Sequence, residues 1–186
     1  MLPQFPILII ALNCVIINQA ADVKNFDLVS HRLLCKNLDS KVIKRLECSY
    51  AKLGPNRFTG SGIVMLNQQF GTNFNIHIRV NVGTGAKIVK FIDLKLNVCD
   101  TLHRGISLPL LRQIMINLLK NSNFPRKCPL KKNFLYNGSN VIIDDTYFPT
   151  YTPTPLNVNF SIDYFADQKK FAIFRLEGSV LPKVKK

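Results

Sequence analysis

The chain has 186 residues, a length suited to one domain. Its formal net charge is +14, yet the basic residues are scattered and no nucleic-acid motif accompanies them. Nucleic acid is therefore not an expected partner; a cationic surface suits acidic groups outside the cell, such as lipid head groups or glycans.

The run from Phe5 to Ile17 carries no charge and is too short for a comfortable membrane span. Ala20 and Ala21 supply small residues for cleavage, although no Lys or Arg precedes the run. These features predict a cleaved signal peptide over 1–20 and a mature domain over 21–186. No later apolar run is long enough to span a bilayer, so a soluble, secreted, extracellular protein without a stable membrane span is expected.

Export changes the meaning of the cysteines. Cys14 leaves with the signal, and Cys35, Cys48, Cys99 and Cys128 remain. An even number in a secreted domain predicts two disulfides, with three possible connectivities. Spacing favours Cys35–Cys48 and Cys99–Cys128. No CxxC or HxxxH spacing occurs, so no metal or cofactor is expected. Asn137-Gly-Ser and Asn159-Phe-Ser are glycosylation sequons.

The elements follow in order. Residues 23–34 mix apolar and polar side chains up to Cys35. Strands are predicted over 46–53 and 57–70, with a turn at Gly54-Pro-Asn56 and possible bulges at Gly60 and Gly62. Residues 73–82 alternate Phe74, Ile76, Ile78, Val80 and Val82 with polar residues, which is strand spacing. Gly83-Thr-Gly85 turns into a partner strand carrying Ile92, Leu94, Leu96 and Val98, with Cys99 on its polar side. The period then changes, and 109–121 reads as one amphipathic helix with Leu111, Ile114 and Leu118 on its stripe. Three further strands are expected over 134–144, 156–165 and 169–181. About eight strands and one inserted helix predict an all-β antiparallel sandwich.

The run "FIDLKLNVCDTL", the helix "LLRQIMINLLKNSNF" and the run "KCPLKKNFLYNGSNVIID" together resemble a large arthropod family of secreted proteins of unknown function. That family carries a strand ending in D-x-C, an amphipathic helix, a C-P pair and a proline-rich loop before the last hairpin. Asn97-Val-Cys99 departs from the acidic version. The family is similar to the myeloid-differentiation-type lipid-recognition (ML) superfamily. The resemblance implies an immunoglobulin-like sandwich that can hold a lipid between its sheets, with links to chemosensory or pheromone signalling. A cell-surface receptor is a further expected partner.

Enzyme signatures are weak. Gly60-Ser-Gly62 lacks the outer spacing of a nucleophile elbow, and Gly83-Thr-Gly85 lacks the helix and third glycine of a phosphate loop. His77 alternates onto a polar strand face as an ordinary surface residue. Asp144-Asp145 is explained by an exposed step from strand to loop. The expected function is a non-enzymatic carrier of a lipid or other hydrophobic small molecule, with no catalytic residue. The inward candidates are Phe74, Ile76, Ile78, Val80, Ile92, Leu94, Leu96, Val98, Leu156, Val158, Phe160, Ile162, Phe174 and Leu176, with the helix stripe as a cover. The rival expectation is a basic interaction module with a closed core.

Overall fold

The structure, a computed structural model, describes residues 24–183. The expected signal peptide over 1–20 lies outside those residues. The elements run β1 (Phe26–Asn37), β2 (Ile43–Gly54), β3 (Arg57–Leu66), β4 (Phe74–Thr84), β5 (Lys87–Asn97), α1 (Val98–Arg104), α2 (Pro109–Lys120), β6 (Leu135–Asp144), β7 (Leu156–Ala166) and β8 (Lys169–Pro182). Two antiparallel sheets result: β1-β8-β7-β4-β5 and β2-β3-β6. The expected all-β sandwich is present. Among the described residues no helix is long and apolar enough to cross a membrane.

Alternation builds the sheets. Apolar residues of β4 and β7 face one way and Asn, Arg, His, Ser and Asp face the other, so a slip of one residue would invert both faces. The β4–β5 hairpin turns at Gly85, whose φ of 60° lies where glycine carries no Cβ penalty.

The two sheets meet through two apolar clusters. The larger joins Ile43, Leu66 and Tyr136 of one sheet to Phe74, Phe171 and Ala172 of the other. Phe70 is fully buried there, stacked on Phe171 at 5.3 Å. The smaller cluster, at the opposite end, joins Phe58 to Phe26, Leu28 and Val180.

Both expected disulfides form. Cys35–Cys48 links β1 to β2, with Cα atoms 6.1 Å apart. Sheets packed face to face normally sit about 10 Å apart, so this bridge draws the β1/β2 margin together. Cys99–Cys128 ties α1 to the segment entering β6.

Several expectations are corrected. There are two helices, not one. β5 ends at Asn97, so Val98 is not a strand residue and Cys99 does not sit on a strand's polar face. Both belong to α1, and Val98 is buried in the larger cluster. The cause is a cap: the Asn97 side-chain oxygen accepts from the Asp100 backbone N–H at 3.1 Å. Its amide also donates to the Thr72 carbonyl at 2.6 Å, anchoring the loop before β4. β3 stops at Leu66 instead of running to 70, because Phe70 leaves the ladder for an isolated bridge with Leu130.

Asn97→Ala removes cap and anchor together and is expected to lower stability by about 1–2 kcal/mol. Asn97→Asp keeps the capping oxygen and loses only the amide donor, so it is expected to lose less than Asn97→Ala. Urea denaturation of the three proteins measures both differences.

Candidate ligand-binding site

Strand register sets the inward candidates in rows across the larger sheet. Ile92, Val80, Phe160, Leu176 and Leu33 form one row, and Leu94, Ile78, Ile162, Phe174 and Cys35 the next. A third row holds Leu96, Ile76, Tyr164 and Ala172. Phe74, Ile76 and Tyr164 reach into the larger cluster, while Leu156 and Val158 pack on the smaller one. The remaining members of the rows fall between the clusters. Ile78 and Val80 are buried, but Phe160, Ile162, Phe174, Leu176, Leu94 and Leu96 are only half-buried. Large apolar side chains at the middle of a closed sandwich are normally buried outright. Here the centre of the inner face is apolar and still reachable by water.

The opposing sheet supplies the reason. Its inner face between the clusters carries Gly60, Gly62 and Gly138, with Gly62 paired to Cys48 on one side and Gly138 on the other. A Cβ at Gly60 or Gly62 would meet nothing closer than 3.5 Å, and both nearest atoms are backbone oxygens. Side chains are missing where the facing sheet presents phenylalanine and leucine. The glycines and Val141 belong to this region and Tyr164 to the larger cluster at its end, and none of them was among the sequence candidates. Gly60 and Gly62 were legible only as bulges, and a bulge does fall between them. Burial pushes the Tyr164 phenol up to about 12, so its hydroxyl stays a neutral donor on an otherwise apolar face.

The helix lies beside this region. α2 packs on β6, where the Asn117 amide donates to the Ile142 carbonyl at 2.7 Å. Leu118 reaches over Gly138, with a methyl 3.6 Å from where a Cβ would stand. Leu111 is buried and Ile114 half-buried, whereas Leu118 keeps 39% of its surface exposed. On its other side α2 and the turn at Asp145–Tyr147 border an open groove of about 560 Å³, lined by Arg57, Ile116, Asn117, Lys120 and Tyr147 among others.

A family model matches residues 72–171, more than half of the chain. The chain belongs to the family described as proteins of unknown function (DUF1091). The matched stretch runs from the loop before β4 to the first residues of β8. It holds the Cys99–Cys128 bridge, both helices and most of the apolar rows. β1 to β3, with the glycine-bearing β3 and the Cys35–Cys48 bridge, lie outside it. No curated protein is matched by the chain.

The outer face of the larger sheet is polar. Asp163 is its centre, 2% exposed, with Arg79, Arg175 and Lys170 at 2.7, 2.6 and 2.8 Å. Burial pushes its carboxyl up, but hydrogen bonds and charge from Lys170 and Arg175 outweigh that and hold it below the ordinary carboxylate range. His77 lies half-buried on the same face against Asp93, a hydrogen-bond partner that the sequence did not reveal. A shallow hollow of about 280 Å³ beside them includes Arg79, Asn159, Ser161 and Arg175. The second sequon asparagine, Asn159, is exposed there, and Asn137 is exposed on edge strand β6. Asp144 caps the Asp145–Tyr147 turn by accepting from the Thr146 N–H, and among the described residues no group of side chains could hold a metal ion.

Asp163→Asn is expected to cost about 2–4 kcal/mol at neutral pH, because three cations lose their shared partner, though each still reaches water. The sign with pH follows from the lowered value in the folded state. The ion-paired carboxylate contributes fully above about pH 3.9, the unfolded value, and its contribution is lost as pH falls through the lower folded one. Acid denaturation of wild type and Asp163→Asn should therefore converge at low pH and separate as pH rises.

Proposed function

We propose that this chain is a secreted, non-enzymatic carrier that holds a lipid or other hydrophobic small molecule between its two sheets. The observation that carries this reading is the divided core: a water-reachable apolar strip lined by Phe160, Ile162, Phe174 and Leu176, facing glycines, between two packed clusters. The energetics support it. Burying roughly ten methylenes gains about 8 kcal/mol gross at about 0.8 kcal/mol each, and lost motion of the ligand offsets much of that. Two disulfides suit an oxidising compartment, and the exposed sequon residues Asn137 and Asn159 suit glycans. The resemblance of the sequence motifs to the ML superfamily fits a sandwich that opens around a ligand, and we include in the proposal a presenting role towards a cell-surface receptor, as in chemosensory signalling.

Mass spectrometry of an organic extract of protein secreted by eukaryotic cells and purified without detergent tests this directly. A stoichiometric fatty acid, sterol, hydrocarbon or phospholipid is expected. An empty extract, with no uptake of a fluorescent lipid analogue, would overturn the reading and leave a closed interaction module. Gly62→Val should fill the strip. Uptake is expected to fall at least about tenfold, while stability stays level or rises by up to about 1 kcal/mol, since glycine is a poor strand residue.

A further inference from the structure

The large apolar side chains that remain in water are not scattered. Among the described residues, those at least half exposed are Leu53, Ile88, Val89, Phe91 and Tyr151. Tyr151 is 85% exposed, Ile88 69% and Phe91 65%. Strand register and loop position put Leu53, Ile88, Val89 and Tyr151 at one end of the sandwich, with Phe91 further along the same edge strand, at the bulge beside Ile92. Leu53 precedes the β2–β3 turn, whose Asn56 accepts from the Leu28 N–H and donates to the Phe26 carbonyl. Leu28 pairs with Val180, Val180 with Leu156, and neighbouring Asn157 with Gly83 beside the β4–β5 turn. Tyr151 lies on the loop that leads into Leu156. This is the end closed by the smaller cluster.

Single exposed hydrophobics are ordinary, but a group of them at one end marks a contact surface. Charge selects the partner. Lys52, Arg57, Lys87 and Lys90 stand among these tips. Of the acidic residues, Asp27, Asp144 and Asp145 lie at this end, with Asp144 engaged in its own turn, while Glu177 is level with Lys90 across the sheet and Asp93 lies 3.5 Å from the Lys90 ammonium. Pairing of edge strand β5 with a second copy would set Lys87, Lys90 and Lys95 near one another, which opposes it. Apolar and tyrosine tips with long lysine stems around them suit the boundary between lipid head groups and acyl chains.

We propose that this end of the sandwich docks reversibly on an anionic lipid bilayer, seating Ile88, Phe91 and Tyr151 in the interface while Lys87 and Lys90 meet head groups. This goes beyond the ligand held between the sheets, and the two use different residues. Vesicle binding can fail while lipid uptake persists, and the reverse.

The test is co-sedimentation of the full mature chain with vesicles of phosphatidylcholine alone, or of phosphatidylcholine and phosphatidylserine in equal parts. Binding is expected only to the second, and to weaken with salt. Each lysine near an anionic surface contributes about 1 kcal/mol, about fivefold, so Lys87→Glu with Lys90→Glu should weaken binding at least about 25-fold. Ile88→Ser with Phe91→Ser should weaken it at least tenfold, and exposed positions leave folding intact, as circular dichroism would check. The chain contains no tryptophan. Phe91→Trp should therefore give a single emission that shifts to the blue on anionic vesicles, while Phe134→Trp, just before β6 at the end of the larger cluster, should not shift. No binding by wild type, equal binding by the substituted chains, or a dimer abolished by Ile88→Ser with Phe91→Ser would overturn the proposal.

Discussion

The Cys35–Cys48 bridge sets the shape of the molecule. It lies on the inner faces of both sheets and holds two strands closer than packed sheets normally stand. At the far margin the chain passes from β5 to β6 through the two helices, the second disulfide ties α1 to the segment before β6, and Tyr136 of β6 packs in the larger cluster. The strip between the two clusters is bordered by large side chains from one sheet and glycines from the other. Filling the glycine positions would close the strip from the smaller sheet.

Polar chemistry is kept to the opposite surface. Arg79, Asp163 and Arg175 come from three neighbouring strands and meet only because β4, β7 and β8 are in register. The network fixes that register from outside while the apolar rows fix it from inside. A slip of one residue would bury a carboxylate without cations and expose the phenylalanines to water. The two faces therefore specify the same alignment by independent means.

How much of this was legible depended on whether a signal was local. β4 and β7 could be read because their faces differ in kind and their alternation is unbroken. β1 could not, because a register shift between Ser30 and Arg32 breaks its period. The first half of β5 was hidden for a related reason: Ile88, Val89 and Phe91 abandon the alternation near a bulge. α1 is too short for a periodic signal, and its cue was the cap at Asn97. Asparagine and aspartate cap helices about equally well, so the departure from the acidic D-x-C pattern preserves the interaction that matters. The inward candidates mostly shared a face as expected, but the glycines opposite them belong to another sheet, and nothing in their own neighbourhood announces what they face.

The division of the core also bears on how the fold breathes. Most of the buried apolar side chains lie in the larger cluster, beside the Cys99–Cys128 bridge, and few in the smaller. Local opening follows apolar contact, so protection against hydrogen exchange should grade along each strand of the large sheet. Backbone amides near Phe74 and Phe171 would exchange last, and those near Val158 and Val180 sooner. The same strands would thus be anchored at one end and compliant at the other, with the compliant end carrying the exposed apolar tips.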